Sequence, residues 1–395
     1  MDRRVSERGT GVNAVCGKIG VVLGFMDEKS YVRIWKTIKG AKMKKMHLGF
    51  LASLLLLMIL FSGCETGTEL VFPSTVSLEG KMLSVGDSLG KVHSMEAVDD
   101  YLIFTDEVGQ THYTILKPDL SYCFHFARKG QGPREMLYAS GVKMIRNGYL
   151  ILSDGYRLYR HNLDSLYCLI DHPIPSAKSD KTDTHIWVTD LSDSLFIATG
   201  TFPNGKRFKF FDYKGTPLAY VGDYPVEEKT DLPFYIVGIS FLSIMTSHPV
   251  TNRFAVGTNY GGMLDVMEWN AADFSLRRIG GVCEFIPQVS SKDILGTPNF
   301  VPNEKTRWGY INMDSDANYI YALYSGRYQI KGTPYWWGNT IHVFDWDGNP
   351  ECQINLDRDV RDIAVVKNKL YALYEDADVG HEVIEYVLPD NWVKK

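Results

Sequence analysis

Cysteine is scarce in this chain, six in 395 residues, and no two stand in a Cys-x-x-C pair. His-x-His and His-Glu-x-x-His are both missing, so the usual short ligand spacings for a transition metal are absent. Neither Gly-x-Ser-x-Gly nor a phosphate-cradling glycine-rich loop occurs, so neither a nucleophile elbow nor a P-loop is indicated. Uninterrupted apolar runs are short as well. The longest uncharged apolar stretch, Leu48 to Phe61, has fourteen residues, well short of the roughly 20 a spanning helix needs. Basic residues are few outside the N-terminus. Residues 1–63 hold 11 Lys/Arg and 4 Asp/Glu, and the remaining 31 basic and 43 acidic residues give the rest of the chain a net charge of −12. A surface so acidic repels phosphate backbones, and nucleic acid is not an expected partner.

What is present is repetition. The strand pattern Tyr101-Leu-Ile-Phe-Thr-Asp106 returns as Tyr149–Asp154, Leu195–Gly200, Arg253–Thr258, Tyr319–Tyr324 and Lys369–Tyr374. With Leu102, Leu150, Phe196, Phe254, Ile320 and Leu370 equivalent, the steps are 48, 46, 58, 66 and 50 residues. A period of this size indicates an array of one supersecondary unit. Alternation and turn residues divide each unit into four strands, A to D. The second unit is the plainest: Gly141–Ile145, a turn at Arg146-Asn-Gly148, Tyr149–Asp154, Leu158–Asn162 and Leu166–Ile170. Asn-Gly suits a tight hairpin because both central positions take positive φ.

The sixth unit has strands at Arg361–Val366, Leu370–Tyr374 and Glu382–Leu388 and no fourth, while an unassigned strand-like segment, Thr75–Val85, precedes the first unit. An N-terminal strand completing the last sheet closes the ring and removes open edges. The expected fold is therefore all-β, a six-bladed β-propeller of four-stranded antiparallel blades over residues 75–390. Tyr224–Ser247 and Pro287–Trp308 are long connectors. The first is apolar enough to be buried and to contain the fourth A strand, and the second, with three prolines, reads as a surface loop.

Met43-Lys-Lys-Met-His47 and the following apolar run have the layout of a signal peptide over 43–63. The run ends in Leu60-Phe-Ser-Gly-Cys64, which resembles the lipobox of bacterial lipoproteins, with Phe61 in place of the usual leucine. The resemblance implies that Cys64 is lipidated and becomes the mature first residue. Two or more acyl chains make anchoring stable where one does not. Residues 64–74 then form a tether, and residues 1–42 fit an upstream mis-start or a disordered extension.

Arg128-Lys-Gly-Gln-Gly-Pro-Arg-Glu135 follows the first D strand. With the lipobox and the six hairpin units, it resembles the TolB-like six-bladed propeller lipoproteins of Bacteroidetes-type bacteria, and more distantly the NHL propellers. Gly130, Gln131, Gly132, Pro133 and Glu135 match the family's segment, and Arg134 replaces its third glycine. The resemblance implies an envelope location, outer-membrane anchored on the periplasmic or surface side. Two readings of the segment stand. It is a blade junction, in which Glu135 accepts from exposed turn amides, or Arg128, Lys129, Gln131 and Arg134 contact an anionic ligand.

The B–C and D–A loops share one face of a propeller, and here they carry most of the irregular sequence, including Tyr156 in Gly155–Arg157. The densest segment is Arg327-Tyr-Gln-Ile-Lys-Gly-Thr-Pro-Tyr-Trp-Trp-Gly338. Its Arg327, Tyr328, Tyr335, Trp336 and Trp337 either stack on sugar rings or grip a partner protein, or pack over neighbouring blades. Asp345-Trp-Asp-Gly348, Asp314-Ser-Asp316 and Asp376-Ala-Asp378 are expected to be turn chemistry, not calcium loops. His381-Glu382 is read as a solvated strand start. Cys123, Cys168, Cys283 and Cys352 fall in or near D strands of different blades, too far apart to pair. No catalytic residue, metal or cofactor is assigned. The A strands read as mostly apolar, Ser or Thr, which favours a non-enzymatic binding or scaffold module with a protein or glycan ligand. The competing reading is a propeller enzyme, a calcium-dependent lactonase-like hydrolase or a carbohydrate-active lyase working in the channel.

Overall fold

A computed structural model gives the fold and describes residues 70–389 other than 84, 86–87, 99–100, 120, 133–134, 140, 146–148, 154–157, 163–172, 175–182, 213, 226–232, 289–290, 295 and 377–379. Six antiparallel sheets are laid out in chain order. Blade 1 is Lys91–Val98, Tyr101–Glu107, Thr111–Leu116 and Cys123–Arg128; blade 2 is Gly141–Ile145, Tyr149–Ser153, Leu158–Asn162 and Pro173–Ile174. Blade 3 is Thr184–Ser192, Leu195–Thr201, Phe208–Asp212 and Pro217–Val221; blade 4 is Ser243–Ser247, Arg253–Thr258, Met263–Trp269 and Leu276–Cys283. Blade 5 is Tyr310–Ser315, Tyr319–Tyr324, Gly338–Asp345 and Pro350–Val360; blade 6 is Asp362–Val366, Lys369–Asp376 and Gly380–Val387. Each first strand packs on the first strand of the next blade, and the series returns from blade 6 to blade 1. The ring is closed.

The B strands carry the visible repeat because they are covered on both faces. Leu195–Thr201 is buried at all seven positions, and Arg253–Thr258 at all but the first. A strand between two neighbouring blades reads as a continuous apolar run, not an alternating one. Its residues pack into clusters that bridge blades, such as Leu102, Phe104 and Met95 of blade 1 against Tyr371, Leu373 and Val383 of blade 6.

Ring closure differs in detail from the expectation. Thr75–Val85 is not one strand on blade 6. Lys81–Leu83 supplies the missing outer strand, pairing Lys81 with Glu385 and Leu83 with Val383. Thr75–Leu78 instead runs parallel along the outside of blade 5, from Thr75 opposite Gln353 to Leu78 opposite Leu356. The N-terminal segment thus clasps two blades. Gly80 makes the crossing, and a Cβ there would lie 2.2 Å from Ile384 Cγ2 and 2.6 Å from the Tyr386 ring. No larger residue passes between them without displacement.

Three other expectations change. The outer strand of blade 2 is Pro173–Ile174, paired with Tyr159 and Leu158; the anticipated Leu166–Ile170 lies outside the described residues. Within Tyr224–Ser247 a helix, α1 (Phe234–Ser240), begins after Pro233 and precedes the A strand Ser243–Ser247. Proline ahead of a first turn fixes φ and loses no helical hydrogen bond, so the apolar run is helix first and strand second. Pro287–Trp308 contains a hairpin, Ser291–Ile294 with Thr297–Phe300, where Gly296 takes φ 80° in the turn. Its Pro298 is tolerated because a two-stranded ribbon is all edge.

The channel also departs from the apolar, Ser or Thr expectation, since Asp190, Asn312, Asp314 and Asp362 occupy first strands. These groups bridge blades. Asp362 Oδ2 accepts from Met95 N at 2.8 Å, Asp314 Oδ2 from Val365 N at 2.6 Å, and Asn312 Oδ1 from Ile363 N at 3.3 Å. Ser315 Oγ lies 2.7 Å from Thr246 Oγ1 and donates to Ser247 O at 3.3 Å. The first strand of a blade has no strand on its channel side, and these side chains satisfy amides left over there.

Asp362 links the last blade to the first. Replacing it by alanine strands a buried amide, and Asp362→Ala is expected to lower stability by about 2–3 kcal/mol, read from the urea midpoint at unchanged m-value.

Candidate functional site

The loop face is most built up where blades 4 and 5 meet. The D–A connector of blade 4 brings Glu284, Phe285, Phe300, Arg307 and Trp308, the B–C loop of blade 4 brings Tyr260, and residues 325–337 of blade 5 bring the Arg327–Trp337 segment. Five aromatic rings form a continuous chain across this rim. Ring centroids are 5.1 Å apart for Phe300–Tyr260, 4.8 Å for Tyr260–Trp308, 5.4 Å for Trp308–Tyr335 and 4.5 Å for Tyr335–Trp336. Tilted and edge-on contacts of this kind stabilise aromatic clusters. The inner rings are half-buried, whereas Trp336 and Tyr328 are 45% and 51% exposed. Trp337 is half-buried and its indole N–H has no protein acceptor.

Under the ridge lies a fixed polar platform. Arg307 Nη1 pairs with Glu284 Oε1 at 2.8 Å, and Arg307 Nη2 donates to the Tyr324 hydroxyl at 3.1 Å. That hydroxyl donates in turn to Glu284 Oε2 at 2.6 Å. Arg307 Nε is bonded to Gly326 O at 3.0 Å, and its guanidinium lies 4.3 Å from the Phe285 ring centre. Burial, then the Glu284 carboxylate, push the Tyr324 phenol up, so it stays a donor across the working pH range. Beside the ridge, Arg327 pairs with Asp359 and donates to Pro334 O at 3.3 Å; Ser325 Oγ donates to Tyr335 O at 2.6 Å. Trp308 Nε1 donates to Gln329 at 3.1 Å. The loop is held at several points, so the exposed rings sit on a rigid support.

Behind Tyr324, His342 is enclosed by aromatics. It stacks on Tyr324 at 4.5 Å, lies 4.6 Å from Phe72, and its Nδ1 is 3.2 Å from the Tyr310 hydroxyl. Burial lowers its pKa to about 3, so the ring is neutral.

The Arg128–Glu135 segment sits on blade 1, apart from this rim. Gly132 N donates to Glu135 Oε2 at 2.9 Å, the bond anticipated for the junction reading. Lys129 N donates to Gln110 O, Gly130 N to Met136 O and Met136 N to Arg128 O at 2.8–3.0 Å. A Cβ on Gly130 would fall 1.9 Å from Glu135 Oε2, so a side chain there would push the Glu135 carboxylate off the Gly132 amide. Arg128 and Gln131 are exposed and Lys129 is half-buried. Pro133, Arg134, Tyr156 and Cys64 lie outside the described residues.

Turn chemistry accounts for Asp345. Its Oδ1 accepts from Asp347 N at 2.9 Å and Asn349 N at 2.8 Å, as Asp212 Oδ1 does from Lys214 N and Thr216 N in blade 3. Asp316 likewise accepts from Asn318 N and Tyr319 N. His381 and Glu382 are more enclosed than a solvated strand start, since Glu382 is 7% exposed and burial lowers the His381 pKa. Their strand pairs back onto Tyr374 and Glu375, and the clasp strand begins its pairing at the next residue, Val383. Of the cysteines, Cys352 is buried, Cys283 half-buried and Cys123 exposed, and Cys168 is outside the described residues. Among the described residues no three His, Cys, Asp or Glu side chains are grouped to hold a metal.

Sequence reasoning reached Arg327, Tyr328, Tyr335, Trp336 and Trp337 but not Tyr260, Glu284, Phe300, Arg307, Trp308, Tyr324 or His342. The available signal was the connector length before and after blade 4, which marks where extra chain gathers.

Because His342 is neutral when folded and takes up a proton near pH 6.5 when unfolded, the unfolded state binds more protons below that pH. Its stability contribution is complete above about 6.5 and is lost as pH falls toward about 3. His342→Gln should flatten the stability profile between pH 6 and 4 by up to about 1.4 kcal/mol per pH unit, measured by urea unfolding at each pH.

No curated protein sequence matches the chain. A solved structure of a DUF4221-family protein from Bacteroides vulgatus is similar at 12% identity, with a TM-score of 0.51 over 80% of this chain and 97% of that one. A Bacteroides fragilis protein described as exported gives 0.48 at 11% identity over 84% and 99%. An auxiliary nutrient binding protein from Bacteroides thetaiotaomicron gives 0.42 at 10% over 76% and 70%. At such identities the likeness concerns fold. The model of the TolB-like 6-blade propeller-like family matches residues 89–368, from the first strand of blade 1 into the first hairpin of blade 6, and the chain belongs to that family.

Proposed function

We propose that the protein is a non-enzymatic, lipid-anchored binding module of the cell envelope, and that it recognises a carbohydrate on the rim of blades 4 and 5. The observation that carries this reading is the ring chain from Phe300 to Trp336. It ends in an exposed indole beside hydrogen-bonding groups already fixed in place. A sugar ring presents an apolar C–H face and a fringe of hydroxyls. Trp336 and Tyr328 would meet the first; Asp359, Arg327 and Gln329, held in the same loop support, offer donors and acceptors for the second. Rigid support limits the entropy lost on binding. The carboxylates of the channel, Asp314 and Asp362, are engaged with backbone amides, which supports binding over channel chemistry.

Lipidation at Cys64 would anchor the module. The clasp leaves the tether at the outer edge of blade 5, where Leu70 and Phe72 pack against Phe344, Trp346 and their neighbours. No helix of the described residues is long and apolar enough to cross a membrane, and anchoring by acyl chains needs none.

On a glycan array followed by calorimetry, the wild type should retain a defined set of glycans. Trp336→Ala should weaken the best of them at least tenfold, about 1.4 kcal/mol, with the melting temperature unchanged. An array without hits, or hits indifferent to Trp336→Ala, would refute carbohydrate recognition there. Separately, Cys64→Ala should abolish incorporation of labelled palmitate and release the protein from the membrane fraction. Persistence of both in the variant would remove the anchor from the scheme.

A further inference from the structure

The opposite face carries a second concavity, between the C–D turn of blade 1 and the A–B turn of blade 6. Its volume is about 310 Å³, at the lower end of the range for small-molecule sites, roughly 300–1,000 Å³. Leu102 and Tyr371 form a buried floor, and Tyr101 and Pro118 a wall. The lining also carries Lys117, Lys367 and Lys369 with the carboxylate of Asp119, and Glu385 pairs with Lys369 beside it. We propose that this groove binds a phosphate monoester carried on a flat apolar body.

The charge at the mouth is contrary to the rest of the molecule. The chain beyond residue 63 is strongly acidic, yet three lysines gather within two short turns. Asp119 stays ionised, its carboxyl held below the usual range by the Ser121 hydroxyl at 2.6 Å and amide at 3.0 Å and by Lys117, so it offsets one of the three ammonium charges and the lining remains net positive. Lys369 shares its ammonium with Glu385 at 2.8 Å, and Lys117 Nζ lies 5.4 Å from the Tyr101 ring centre. The arrangement places ammonium groups above aromatic and aliphatic surface. That suits a ligand with a doubly charged head and a planar tail, and suits a neutral sugar poorly.

The backbone adds an independent sign. Lys367 holds φ at 57°, a left-handed conformation, in the two-residue turn between paired Val366 and Lys369. Glycine occupies such a position with less strain. A lysine held there keeps its side chain in the lining of the groove although glycine would fit the turn with less strain. Among the described residues the other non-glycine residues at positive φ, Ala127 and Phe274, carry no charge.

The same chemistry is offered by a free aryl phosphate and by the headgroup of phosphatidic acid, and two arms separate them. In the first, the full chain is titrated with phenyl phosphate, followed by calorimetry and tyrosine fluorescence. In the second, it is floated with phosphatidylcholine vesicles with and without phosphatidic acid. Phenyl phosphate should bind, and Lys117→Ala and Lys367→Gly should each weaken it by about tenfold or more. Lys367→Gly should at the same time keep or raise the melting temperature, since it relieves the turn. Loss on that variant therefore reports the ammonium and not unfolding. Vesicle flotation that needs phosphatidic acid and both lysines would place the phosphate on a lipid; its absence alongside phenyl phosphate binding would place it on a soluble ligand. If wild type binds neither probe, or both variants bind within about twofold of wild type, the proposal falls. The glycan prediction is unaffected by either result, because it concerns the other face.

Discussion

An inner strand in a propeller has one paired edge and one that looks into the channel, and everything else in this molecule follows from how that second edge is satisfied. A buried amide left without an acceptor costs roughly 1–3 kcal/mol, and six such edges converge. The chain meets the demand with side chains, so that Asp362 reaches Met95 and Asp314 reaches Val365 in the next blade. Asn259 does similar work at the loop end, donating through Nδ2 to Tyr310 O at 2.7 Å. The polar residues of the channel are consequently a fastening between sheets. The rims, where loops are free of this duty, carry the exposed aromatic and charged side chains instead.

That arrangement explains which parts of the fold were legible in sequence. The B strands announced themselves because two neighbouring sheets enclose them, and enclosure selects an unbroken apolar run with few alternatives. The C–D turns were equally plain: Phe-Asp-Tyr-Lys-Gly-Thr-Pro and Phe-Asp-Trp-Asp-Gly-Asn-Pro are one device, an aspartate collecting the amides two and four residues on. The A strands were harder. Their polar residues look like a ligand set or like noise until the neighbouring blade is present to receive them. Lys81–Leu83 was harder still, three residues whose membership in blade 6 depends on contacts some 300 positions away in sequence. The helix after Pro233 was hidden because an apolar stretch of that length satisfies helix and strand alike, and only Pro233 distinguishes them.

The rim of blades 4 and 5 was half legible for a similar reason. Tyr335 and Trp336 stand together in the chain, and local aromatic density exposes them. Tyr260 comes from one loop and Phe300 and Trp308 from distant points of another, and the order of their contacts is set by the hairpin at Ser291–Phe300 folding back over blade 4. A linear reading sees three unremarkable residues. The Gly130–Glu135 segment illustrates the reverse, conspicuous in sequence yet occupied with its own backbone: Glu135 fills the space over both glycines and takes the amide of Gly132.

The two faces also differ in what they can accumulate. On the turn side consecutive strands are adjacent and antiparallel, so the links are as short as two residues, and length there would splay the pair. Any site on that face must be made from side chains of the turns themselves, as the lysines of the blade 6 and blade 1 turns are. On the loop side the D–A link must cross to the next blade in any case, and additional length costs little because closure entropy grows only slowly with loop size. The longest steps of the repeat, 58 and 66 residues, flank blade 4, and the surplus appears as α1, the Ser291–Phe300 hairpin and the chain that carries Arg307 and Trp308. A closed ring tolerates such growth on one side without altering a single inter-blade bond. The physical asymmetry of the links, more than any property of one residue, decides that a broad aromatic surface forms above blades 4 and 5 while a narrow charged groove forms beneath blades 6 and 1.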